Sequence, residues 1–260
     1  MPTNIAIRDP IREDPLREPA QSLKAEHSDL VFDKLGLWVM MATVWIVFAF
    51  LEWYRWAVAM PPAPVFFTAT ACCFVGYAAY RIWRIKPELK RLQMGIRGEQ
   101  AVGQFLQRDI VPLGYRVLHD ICEDDCNIDH VAIGPAGVFA IETKTHSKPT
   151  GDVRVVFDGK QVTVNGLVPD RDPIAQAQAC AAAVRRILKQ FSGIDEKPRA
   201  VVLYPGWWVE EANAETWVLN NKRFAGRLRY ASRRLSQQQI DVLAEALARY
   251  VRERGRRDRQ

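Results

Sequence analysis

An aspartate, a glutamate and a lysine interrupt an otherwise apolar stretch, NIDHVAIGPAGVFAIETKT, at residues 127–145. The stretch reads as two strands joined around Gly134 and Gly137, with Asp129 in the first and Glu142 and Lys144 in the second. Side chains alternate along a strand, so Glu142 and Lys144 share a face. If the turn is a two- or four-residue loop, Asp129 lies across from Glu142 on that same face. Facing carboxylates repel, and the pair is costly unless a cation or a proton sits between them. Oxygen ligands on rigid strands suit Mg2+, which takes few protein carboxylates and keeps several waters. A lysine beside them can orient a nucleophilic water or stabilise phosphoryl charge. Pro135 and Gly137 equally suit a three-residue loop with a bulge, which splits the acids between faces unless a second bulge restores them.

Two more polar residues stand where apolar ones are expected. Glu99 lies on a helical stripe between Ile96 and Val102, after GIRG, whose Gly95 and Gly98 allow close backbone approach. Gln176 lies in the first turn of a helix that opens at Pro173. Both can complete a polar pocket around the hairpin acids.

The elements that must hold these residues follow from periodicity. A helix is predicted over residues 88–107, with Leu89, Leu92, Ile96, Val102 and Leu106 on one stripe. Strands are predicted at residues 115–121, 127–133, 138–145, 153–157 and 161–164. Asp172 suits an N-cap ahead of Pro173, and the helix then presents Ile174, Ala177, Ala181, Val184, Leu188 and Phe191 on one side. RAVVLYPG reads as a buried strand, and Ser236 with Gln239 reads as a capping box opening a last helix. Together these give an α/β domain over residues 88–235, followed by a C-terminal helix and basic tail at 236–260.

The chain before the domain is of a different kind. Residues 1–34 are polar, charged and proline-bearing, and are expected to be disordered and cytoplasmic. No secretory signal peptide is read there, because the first long apolar run begins only at Leu35. LGLWVMMATVWIVFAFL and APVFFTATACCFVGYAAY are each close to the length that crosses about 30 Å of hydrocarbon. They predict two transmembrane helices, at about residues 35–56 and 63–83 within a segment 35–84, joined by a short proline-bearing connector. Aromatic residues flank the spans, and Arg81, Arg84, Lys86, Lys90, Arg91 and Arg97 follow the second, against Arg55 alone near the connector. The expectation is a multi-pass membrane protein with both termini in the cytoplasm. Ala69, Cys72 and Gly76 offer small side chains for close helix packing.

Composition narrows the partners. The 260 residues carry a net charge of +6, which favours nucleic acid or an acidic membrane surface. Five cysteines form no disulfide framework and fit a reducing compartment. Cys122 and Cys126 flank an acidic turn rather than a metal site. His130 points away from Asp129 by alternation, and Trp207 and Trp208 read as core or rim packing. The arginines from 249 to 259 can touch phosphates or anionic headgroups, or simply be solvated.

GIRGE, NIDHVAIGPAGVFAIETKT, DPIAQAQA and VVLYPG, in that order, resemble the nuclease-related domain (NERD), a branch of the PD-(D/E)XK nuclease superfamily. The resemblance covers roughly residues 94–208. It implies a restriction-endonuclease-like core, a mixed sheet flanked by helices, here preceded by the transmembrane helical hairpin. It implies an enzyme, a nuclease hydrolysing phosphodiester bonds with Mg2+ or Mn2+, acting on nucleic acid, in the first instance DNA, beside a lipid bilayer. By position, Asp129 and Glu142 match the metal-binding acids and Lys144 the catalytic lysine of the E-x-K signature. Glu99 matches the helix glutamate of the GE motif, and Gln176 the glutamine of the following helix. Fold and motifs leave RNA open as substrate, and leave open a non-catalytic nucleic-acid-binding or scaffold module on the same fold.

Overall fold

The computed structural model describes residues 16–58, 60, 63–123, 126–148 and 153–257. The chain forms two compact units, one of Ser22–Ile96 and one that joins Met1–Gln21 to Arg97–Gln260.

The first unit is helical. Helix α1 covers Gln21–Val31, a five-residue π-helical stretch follows at Phe32–Gly36, and α2 covers Leu37–Ala57. Helix α3 runs over Pro64–Phe105, so the second apolar run and the helix expected from residue 88 are one element. The disorder expected through residue 34 gives way to α1; residues 1–15 lie outside the described residues. The apolar positions of α1 are few, but Leu30 is buried, and His27 hydrogen-bonds Gln93 at 3.3 Å. Tertiary contact thus supplies what weak local periodicity did not. The α2–α3 contact is aromatic, with Trp45 stacked on Phe74 at 5.5 Å and Trp38 edge-on to Tyr77 at 4.5 Å. The small residues buried in this unit are Ala42, Ala71 and Ala78, whereas Cys72 is exposed and Gly76 faces open space. Both helices are long and apolar enough to cross a membrane.

The second unit is a three-layer α/β/α arrangement, the mixed sheet flanked by helices that the sequence implied. Its strands are β1 Arg116–Cys122, β2 Asn127–Gly134, β3 Gly137–Thr143, β4 Arg154–Phe157, β5 Val162–Val164, β6 Arg199–Leu203, β7 Trp208–Glu211 and β8 Trp217–Leu219. Its further helices are α4 Pro173–Ser192, α5 Asn221–Tyr230 and α6 Gln237–Arg257. The main sheet has the order β1-β2-β3-β6-β8, and a smaller sheet has the order β5-β4-β7. β1, β2 and β3 are antiparallel neighbours, while β3, β6 and β8 run parallel. Central strands buried on both faces have no solvent side to alternate with, which is why β2 and β3 read as unbroken apolar runs. On one face lie α4 and α6, with Val184, Leu188, Leu243 and Leu247 packed on Val131, Val138 and Val202. On the other lie the end of α3 and α5, with Val102, Phe105 and Phe224 on Phe139, Ile141 and Val201.

The capping signals place the flanking helices. Asp172 Oδ1 accepts the Ile174 N–H at 2.9 Å ahead of α4. Ser236 and Gln239 exchange two hydrogen bonds at the start of α6. Through Ile240, Leu243, Leu247 and Val251, α6 is part of the same core as the sheet, not an appendage to a domain ending at residue 235.

Candidate active site

The turn between β2 and β3 decides where the acids fall. It is the two-residue loop Pro135–Ala136, closed by Gly134↔Gly137, and the ladder runs without a bulge to His130↔Ile141. One step further, Asp129 and Glu142 lie across from each other, and Thr143 donates its N–H to Asp129 Oδ2 at 2.7 Å. The even register is therefore the one adopted. His130 faces the opposite side, where its Nδ1 lies 2.8 Å from His119 Nδ1.

Lys144 follows β3 and is held by its own backbone, which donates to the Leu203 carbonyl at 2.9 Å. Its Nζ donates to Glu142 Oε1 and to Gln176 Oε1, each at 2.7 Å. Gln176 reaches it from the first turn of α4, whose entry is fixed by the Asp172 cap and Pro173. Lysine, glutamate and glutamine thus form a single hydrogen-bonded row.

Glu99 comes from α3. Its helix is drawn tightly onto the end of β3, since a Cβ at Gly98 would stand 1.7 Å from Thr145 Oγ1. Only glycine permits that approach.

The electrostatics of the acids are those of a site short of positive charge. Burial, then the Glu142 and Glu99 carboxylates, holds the Asp129 carboxyl well above its ordinary range. Burial also raises Glu142, against the pull of Lys144. Glu99 is pushed up to about 7 by burial, by Asp120 and by Glu142. Glu99 Oε2 and Glu142 Oε2 are buried without a hydrogen-bond partner, and so are the hydroxyls of Thr143, Thr145 and Tyr204. Buried polar atoms are rarely left so, and a cluster of them marks a place where a ligand completes the bonding. Among the described residues, no group of three or more His, Cys, Asp or Glu side chains is gathered to hold an ion alone. The donor set fits Mg2+, which takes one or two carboxylates and leaves its other positions to water and phosphate.

All five site residues predicted from sequence lie in this unit. Glu142, Lys144 and Gln176 are joined by hydrogen bonds, Asp129 binds the backbone of Thr143 next to Glu142, and Glu99 is close enough for its charge to act on Asp129. Two residues were not predicted. Tyr204 follows β6, where Val202 pairs with Glu142 in parallel register, so its fully buried ring shares the face of Glu142 and Lys144. His146 stacks on that ring at 5.9 Å. Asp120 is fully buried in β1, takes a φ of +51°, and is bound by Arg17 at 2.7 Å and Asn127 at 3.1 Å. An isolated acid at mid-strand was the only sign of it in the sequence. Of the weaker signals, Trp207 is buried and Trp208 is 66% exposed. The Glu123 N–H donates to the Cys126 carbonyl at 2.9 Å across the acidic turn, whose Asp124 and Asp125 lie outside the described residues.

No curated protein matches the chain, and no solved structure does. A protein-family model, that of the nuclease-related domain, matches residues 94–210, from the helix that carries Glu99 through the strand after Tyr204. The acid pair, its lysine and its glutamine all lie inside that match, and the chain carries a nuclease-related domain (NERD) at residues 94–210.

Proposed function

We propose that the chain is a divalent-metal-dependent nuclease that hydrolyses phosphodiester bonds, in the first instance of DNA, anchored in a membrane by α2 and the first part of α3. The observation that carries this reading is the row of Lys144, Glu142 and Gln176 beside Asp129, with buried carboxylate oxygens left unpartnered. Asp129 and Glu142, with a neighbouring backbone carbonyl such as that of Thr143, would hold Mg2+ or Mn2+. When bound, the ion supplies neutralisation of the scissile phosphate and acidifies a water.

The chain's own groups do the rest. Lys144 Nζ has three protons, two of which point at Glu142 and Gln176. The third is available to orient the attacking water or to meet charge developing on the phosphate. The water oxygen bonds to phosphorus and gives up a proton to solvent as the bond to the leaving sugar oxygen breaks and that oxygen takes a proton from solvent. Gln176 keeps the ammonium from collapsing fully onto Glu142. The Tyr204 hydroxyl is a donor without a partner on the same face, suited to a phosphate oxygen. Glu99 holds a further water or proton at the far side of Asp129.

The net charge of +6 favours an anionic polymer, and the arginines and lysines after the second apolar run favour cytoplasmic termini.

The full chain in detergent, incubated with DNA or RNA in Mg2+, Mn2+ or EDTA, tests the reading. Cleavage is expected only with a divalent ion. Lys144→Ala should lower kcat on the order of a hundredfold or more, and Glu142→Ala should abolish ion-dependent turnover. Activity at the wild-type level in either variant sinks the assignment. Binding without cleavage in every divalent ion would mark a non-catalytic nucleic-acid-binding module instead.

A further inference from the structure

The chain ahead of the apolar helices returns to the site. Ala20 is fully buried, and its N–H donates to the Glu99 carboxylate. Ala20 takes a φ of +61°, in the left-handed region that a non-glycine residue adopts only when its surroundings fix it. Pro19 lies against α3 where a Cβ at Gly103 would come within 2.6 Å of its Cγ, so Gly103 is the seat of that proline. Arg17 lies with its Nε 2.7 Å from Asp120 Oδ2, and its Nη1 donates to Cys122 Sγ at 2.9 Å. Asp120 in turn raises the proton affinity of Glu99. Residues 16–20 thus touch helix α3 and strand β1, the two elements that carry the outer acids.

We propose that residues 16–20 act as a clasp that positions Glu99 for the site's chemistry. The matched domain begins only at residue 94, so the clasp lies outside it. Its parts have separable tasks. The Ala20 N–H binds the Glu99 carboxylate, whose Oε2 stays buried without a hydrogen-bond partner. Arg17 offsets the Asp120 charge that would otherwise repel Glu99. Pro19 holds the segment against α3 so that both contacts are kept. Arg17 binds Asp120 and Cys122 rather than the acid pair or its lysine, so we assign it as a positioning residue whose effect on turnover passes through Glu99.

The proposal rests on the reading of the acids as a hydrolytic site, and the test separates the two. The variants Arg17→Ala, Arg17→Lys, Glu99→Gln and the Arg17→Ala/Glu99→Gln double variant are made in the full chain. Hydrogen exchange over residues 98–105 and peptide-resolved maleimide labelling of Cys122 are read first, without metal or nucleic acid. Arg17→Ala should speed both, because the clasp no longer holds α3 or covers the thiol. Arg17→Lys, which keeps the charge, should restore most of the exchange protection.

Cleavage kinetics are read second. Arg17→Ala should lower kcat on the order of tenfold, as loss of a supporting contact does. In the double variant the Arg17 effect should vanish, since both changes act through one carboxylate. Unchanged exchange and labelling in Arg17→Ala overturn the clasp whatever the activity. Additive kinetic losses overturn its action through Glu99 and leave only a structural strap. A wild-type chain inert with every divalent ion overturns the hydrolytic reading, and exchange and labelling still decide whether the clasp holds.

Discussion

The carboxylates differ in what they share. Asp129 has a backbone donor, Glu142 has a lysine, and Glu99 has one backbone N–H and a bare second oxygen. Glu99 titrates against its neighbours, since Glu142 raises it and it in turn raises Asp129. The Glu99 carboxyl sits at about 7 against an ordinary 4.5, so between those values the folded chain holds a proton that the unfolded chain has released. Stability from this group is full below 4.5 and is lost as pH rises through 7. Thermal melts in EDTA of wild type and Glu99→Gln should diverge across that window, the wild type losing about 3 kcal/mol relative to the variant as pH rises. Parallel melting curves at every pH would remove the burial argument. Burial lowers His130, and lowers His119 to about 4, so protonating them works in the opposite sense, but they are common to both proteins and cancel in the difference. At the same scale, Tyr204→Phe keeps the ring against His146 and removes only the hydroxyl. Melting should hold within about 1 kcal/mol while kcat falls roughly tenfold, the size expected for one hydrogen bond realised on the phosphate. An unchanged kcat would return Tyr204 to the core.

Elements show why part of the site was legible in sequence and part was not. Asp129, Glu142 and Lys144 lie within one hairpin, where alternation and a short loop link neighbours in sequence to neighbours in space. The choice between registers was the open point, and the two-residue loop closes it in favour of a shared face. Gln176 was legible because cap and proline fix where α4 begins. Asp120 was not, because regular alternation fails around it: Leu118 and Ile121, three apart, both enter the α4–α6 core. A left-handed residue within a strand resets the face, and nothing local announces it. Tyr204 looked like the end of an apolar strand, since only the parallel pairing of β6 with β3 turns it toward Glu142. The seating of α3 on β3 gives a direct check. Gly98→Ala must displace Thr145 and should cost about 1–3 kcal/mol while lowering activity by shifting Glu99. Adding Thr145→Ala should recover part of both, and a Gly98→Ala chain that melts like wild type would deny the close approach.

The whole chain is not a domain with a detachable leader. A fragment beginning at residue 97 keeps sheet, core and acids, but leaves the buried Asp120 without Arg17. Such a fragment should be less stable than the same unit in the full chain by about 1–3 kcal/mol, the discounted cost of stripping a partner from a buried charge. Comparing urea midpoints of the two by a probe within the unit, such as exchange at residues 131–141, measures it. Equal midpoints would show the leading segment to be dispensable. The apolar helices were evident from hydropathy alone, but the segment ahead of them was read as disordered. Its contacts are individually small: one ion pair, one backbone donor and one proline against a glycine. No periodicity reports contacts of that kind.

That the folded unit takes up chain on both sides of the apolar helices sets a parity rule. Residues 16–21 and residues from Arg97 onward are parts of one compact body, so they share a compartment. If α2 crosses a membrane, as proposed, α3 must cross back, and an odd number of crossings would tear Arg17 from Asp120. On the membrane-anchored reading, insertion and folding are thereby linked. The unit cannot close until the second apolar helix has returned the chain, and a variant that inverts only one helix should be betrayed by an open clasp rather than by a misplaced terminus.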